Sequence, residues 1–110
     1  MIEEDKSILI DNLLELMQKV KLNNNYKEKI RKIIDNEKTV TKIEKERFEM
    51  YYGLNIDKKM NITQIAKQYK CSYSAVRCSI LNIRRKLITH LGEEERSIIK
   101  NIINTYKTLE

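Results

Sequence analysis

Residues 61–87 read Asn61-Ile62-Thr63-Gln64-Ile65-Ala66-Lys67-Gln68-Tyr69-Lys70-Cys71-Ser72-Tyr73-Ser74-Ala75-Val76-Arg77-Cys78-Ser79-Ile80-Leu81-Asn82-Ile83-Arg84-Arg85-Lys86-Leu87, and this stretch decides the fold. Asn61 is a good helix N-cap. Behind it Ile62, Ile65, Ala66 and Tyr69 recur at the three- and four-residue steps of one helical face. Lys70-Cys71 makes a tight turn, and Ser72 caps a longer helix along which Val76, Ile80, Ile83 and Leu87 form a continuous apolar stripe. A short helix, a brief turn and a longer helix predict a helix-turn-helix. Helices that cross steeply need a small residue where they touch, and Ala66 is placed for it. Ile65, Tyr69, Cys71 and Val76 supply the apolar seam.

The rest of the chain extends the same helical pattern. Upstream, Thr41-Lys42-Ile43-Glu44 is a capping-box sequence, so a helix starts at Thr41 and ends at Gly53, which takes a left-handed conformation at little cost. Further back, Asp5 to Leu22 and Tyr26 to about Glu37 read as two amphipathic helices separated by Asn23-Asn24-Asn25. Downstream, Gly92 is expected to close the long helix. A last helix then starts at Glu93-Glu94-Glu95, whose acids suit a positive helix end. With no proline and two glycines in 110 residues, the expectation is an all-α, six-helix domain containing a helix-turn-helix. It divides into an N-terminal helical pair (1–38, with no assigned role), a helix-turn-helix segment (39–92) and a C-terminal amphipathic helix (93–110). The apolar faces Leu9-Leu13-Leu14-Met17 and Ile99-Ile102-Ile103-Tyr106 are expected to pack on each other or on the helix-turn-helix.

Charge is more informative by segment than in total. The net charge is +6, from 22 basic and 16 acidic residues. Residues 61–92 hold no Asp or Glu but contain Lys67, Lys70, Arg77, Arg84, Arg85 and Lys86, so the remainder of the chain is neutral. An acid-free helix-turn-helix avoids repulsion against DNA phosphates. Ser72, as N-cap, leaves Tyr73, Ser74, Arg77 and Cys78 on the first turns of the second helix, the turns that enter the major groove in this motif. Arg84, Arg85 and Lys86 follow further along and suit phosphates rather than base edges.

Other chemistries find little support. One histidine (His90), two cysteines and no glycine-rich loop provide no catalytic set, cofactor cradle or metal-ligand spacing. Cys71 and Cys78, seven apart on a helix, would be separated by about 10 Å, too far for a disulfide. Cys71 reads as a small buried hydrophobe, and His90 as a helix-end or surface residue. Apolar runs are too short for a membrane span. The acidic start Met1-Ile2-Glu3-Glu4-Asp5 is unlike a signal peptide, and sparse thiols fit a reducing bacterial cytoplasm.

The segment from Val40 to about Leu91 resembles region 4 of bacterial RNA polymerase sigma factors, which reads the upstream promoter element. The resemblance lies in Glu44-Lys45-Glu46-Arg47-Phe48-Glu49-Met50-Tyr51-Tyr52-Gly53-Leu54, then Asn61-Ile62-Thr63-Gln64-Ile65-Ala66, Ser72, Val76-Arg77 and Arg85-Lys86-Leu87. It covers about half the chain and implies double-stranded DNA as ligand, with RNA polymerase or a separately encoded sigma-like subunit as partner. The chain departs from the family where Tyr73-Ser74-Ala75 replaces an Arg-Glu-Arg run, Cys78 a glutamine, Lys70 a glycine and Ser79 an apolar residue. The family's usual hexamer is therefore not carried over; Tyr73 and Ser74 are left to read other base edges or a thymine methyl. Two alternatives stay open: a polymerase-independent homodimer formed through the terminal helices, and a protein–protein adaptor.

Overall fold

The computed structural model describes residues 3–55 and 58–108. Six helices follow in order: α1 (Glu3–Lys19), α2 (Asn24–Asp35), α3 (Lys42–Tyr52), α4 (Ile62–Tyr69), α5 (Tyr73–Thr89) and α6 (Glu93–Thr108). The fold is all-α.

The boundaries have local causes. Asn23 accepts the backbone N–H of Tyr26, so α2 starts two residues before Tyr26. Thr41 and Glu44 form a complete capping box, with both bonds at 3.1 Å. Gly53 ends α3 at φ 69°, and Leu54 N–H reaches back to the Glu49 carbonyl at 2.9 Å. The first helix stops at Lys19, short of the expected Leu22. There the Lys59 ammonium donates to the free carbonyls of Gln18 and Val20, at 3.1 and 3.0 Å. Gly92 differs from expectation. The last turn of α5 ends at His90, and the Gly92 carbonyl accepts Arg96 N–H at 3.0 Å, so Gly92 opens α6 and does not close α5.

Packing makes α5 the central helix, with α1, α3 and α4 against it and α6 lying across α1 and α2. Phe48, Ile65, Val76, Ile83, Ile10 and Ile102 are each fully enclosed, and one apolar cluster runs from Ile10 on α1 to Ile102 on α6. Each such side chain contributes about 1.5–3 kcal/mol of transfer free energy. The three segments marked off in the sequence thus share one core. Polar ties lock its margins. The buried Glu49 carboxylate of α3 accepts from Arg31 of α2 at 3.1 Å. Tyr26 and Tyr106 meet edge to face, and the Tyr106 hydroxyl accepts Asn23 N–H at 2.9 Å, joining α6 to the start of α2.

Candidate nucleic-acid interface

Asn61 and Gln64 cap α4 reciprocally, with bonds of 3.0 and 2.8 Å. At its other end Lys70 is left-handed, at φ 55° and ψ 48°. Lys70 N–H returns to the Lys67 carbonyl and Cys71 N–H to the Ala66 carbonyl, closing the last turn of α4. Ser72 is extended, and its hydroxyl accepts Ala75 N–H at 3.1 Å, which starts α5. The chain therefore turns within Lys70–Ser72, α4 packs against α5, and Ala66 of α4 is buried. Cys71 is half-buried on the apolar cluster.

Helix α3 braces this pair. The Tyr69 hydroxyl donates to Glu46 at 2.6 Å; burial, then this bond, push its pKa up to about 12. The Arg47 guanidinium covers the Tyr69 ring at 4.9 Å and donates to the Ser79 hydroxyl at 2.9 Å. Ser79 in turn donates to the Ala75 carbonyl. These bonds let a serine occupy the buried face: Ser79 and Ile80 both point inward.

The residues that face out of α5 are Tyr73, Ser74, Arg77, Cys78, Leu81, Arg85 and, at its end, Thr89, all exposed, with Ser72, Lys67 and Lys70 exposed beside them. No acid interrupts this set in the sequence. Leu81 had no functional assignment from sequence. The available signal was its position off the Val76–Ile80–Ile83–Leu87 stripe.

Two expected phosphate contacts are placed differently. Successive helical residues point about 100° apart, so Arg84, Arg85 and Lys86 cannot share one face. Arg84 leans toward α1, where its guanidinium grips Asp11 through two bonds of 2.7 and 2.9 Å. The hydrogen bond from Arg84 leads in holding the Asp11 carboxyl below its ordinary pKa of 3.8. Lys86 leans toward α3 and donates to the Thr39 carbonyl at 2.6 Å, with Glu44 at 3.8 Å. Burial works to raise the Glu44 pKa, but bonds from Thr41 and Asn82 and the charge of Lys86 outweigh it and leave the carboxyl below 4.5. Arg85 alone of the three stays outward, bonded to Asn82 at 3.3 Å. Four cations remain exposed on the α4–α5 segment: Lys67, Lys70, Arg77 and Arg85.

His90, at the end of α5, pairs with Glu37 at 2.8 Å. Among the described residues no group of three His, Cys, Asp or Glu is placed to hold a metal ion, and no helix is long and apolar enough to cross a membrane. The terminal faces pack inward, with Leu13, Met17, Ile99 and Ile102 all buried. Set against known protein families, curated proteins and solved structures, the chain matches none. The likeness to sigma region 4 rests on the residues quoted above alone.

Proposed function

We propose that this chain is a DNA-binding transcription regulator that lays α5 in the major groove as a helix-turn-helix, acting with RNA polymerase or a partner subunit at promoters. The observation that carries the reading is the outward face of α5: seven exposed side chains, acid-free and cationic, on a helix capped at Ser72 and braced from behind by α3 and α4. Tyr73, Ser74, Arg77 and Cys78 take the base-facing turns. Arg85, Lys67 and Lys70 take phosphates. Arg84 and Lys86 act in this reading as struts that fix α5 to α1 and α3. The polymerase part of the proposal rests on the resemblance of residues 40–91 to sigma region 4.

A promoter-fragment binding assay across salt concentrations tests it. Three phosphate-neutralising cations give a log–log slope of about −2.7, against about −5 if all six on the segment were engaged. Binding that salt does not weaken, or no retention of any duplex, refutes the DNA reading. Co-sedimentation with RNA polymerase tests the partner separately. A stable homodimer that protects a palindrome without polymerase would favour the independent repressor or activator.

A further inference from the structure

Ile8, Ile43, Tyr73 and Leu81 are the large apolar side chains that stand in water among the described residues. Two of these four share the outward face of α5, and Arg77 lies midway between them, one turn from each. An exposed leucine on its own needs no explanation. Leu81 differs by its setting: with 42% of its surface exposed, it sits near the middle of the outward arc, bounded by Arg77, Cys78 and Arg85.

Given the DNA reading, on which this step rests, we infer that Tyr73, Arg77 and Leu81 select a guanine flanked on both sides by thymine methyl groups. In the major groove the thymine C5-methyl is the apolar group on the base edges, and a guanine offers two acceptors that match an arginine fork. Leu81 has no polar atom in its side chain and gains only from apolar contact. Ser74 and Cys78 are shorter than Arg77 and do not compete with its reach. A four-residue step along the helix is about 6 Å, and base pairs are spaced about 3.4 Å. The two methyls therefore fall about two base pairs to either side of the guanine, on either strand.

The test begins with duplexes retained by the full chain from a random pool. The recovered duplexes are then rebuilt with deoxyuridine in place of thymine, which removes the methyl and keeps the base pairing. The recovered set is expected to share a guanine with thymine near two base pairs on each side. Each flanking replacement should weaken binding about fourfold, the value of one buried methyl. Leu81→Ala should erase the response at one flank and Tyr73→Ala at the other. Both side chains are exposed, so the thermal midpoints of these variants should match the parent. Equal affinity for the thymine and deoxyuridine duplexes overturns the inference and leaves DNA binding standing. So does a methyl response that persists in both variants. Failure to retain any duplex removes the DNA reading and this step with it.

Discussion

The inward and outward sides of α5 use the same side chains for opposite ends. Arg84 and Arg85 are neighbours of identical chemistry, yet Arg84 is clamped by two bonds to Asp11, while Arg85 faces solvent with one bond to Asn82. Lys86, one residue further, is turned another 100° or so and reaches the Thr39 carbonyl in the connection before α3. The run of three cations thus divides into two struts and one free charge. Local charge density says that a helix is basic; the helical angle says which of its charges can leave the protein to meet a ligand. The outward stripe Tyr73–Arg77–Leu81–Arg85 follows a four-residue step and stays together, whereas a consecutive run must spread around the helix.

That division can be broken by substitution. The largest effect is expected on the inward side. Ile83 is fully buried against the cluster, and Ile83→Ala should lower unfolding free energy by about 2–5 kcal/mol, read as a shift in the urea midpoint. Below that transition its DNA affinity should be that of the parent. On the outward side, Arg77→Ala should weaken binding to the selected duplex by about 1–3 kcal/mol, roughly five- to 150-fold, while the urea midpoint stays put. A large stability loss in Arg77→Ala would mean that the two sides are not separable.

The caps were legible in sequence because a cap is a contact between a side chain and backbone three residues away. Thr41 with Glu44, Asn61 with Gln64, and Ser72 with Ala75 all fall in that range. So was the turn at Lys70, where two helical patterns end and begin within three residues. Gly92 was misread because glycine is tolerated on both sides of a helix boundary, and only the bond from Arg96 N–H decides which side it serves. The fate of Arg84 could not be read at all. Its partner is 73 residues away on α1, and nothing in residues 61–92 predicts that α1 lies there. Leu81 was passed over for a simpler reason: the apolar stripe left it out, but a single apolar residue off the stripe is ordinary on a helix surface and does not by itself mark a site.

The Asp11–Arg84 pair allows a finer test. Both side chains keep contact with water, so Arg84→Ala or Asp11→Asn should each cost about 0.5–1 kcal/mol of stability. DNA affinity should change little in either. The pair also sets an acid response. Because the folded Asp11 pKa lies below its ordinary 3.8, the pair stabilises fully above that value and is lost as pH falls below it through the folded pKa. The parent should therefore lose stability more steeply than Asp11→Asn on acidification through this range, in urea titrations at successive pH values. If Arg84→Ala instead weakens DNA binding as much as Arg77→Ala, Arg84 leaves Asp11 in the complex, and the inward assignment falls.

The smallest expected effect falls on a residue that belongs to both sides. Lys70 is an exposed cation at the turn between α4 and α5, and it is also the one non-glycine residue with positive φ among those described. A left-handed lysine costs about 1–2 kcal/mol relative to glycine, part of which glycine gives back through the greater freedom of its unfolded chain. Lys70→Gly should therefore raise stability by less than about 1 kcal/mol. It should also remove one phosphate contact, making the salt slope shallower by about 0.9. The two readouts move in opposite functional directions from one substitution, a more stable chain that holds DNA less tightly. A gain in stability with an unchanged slope would show that Lys70 serves the turn alone, and that the cations which meet phosphate are Lys67 and Arg85.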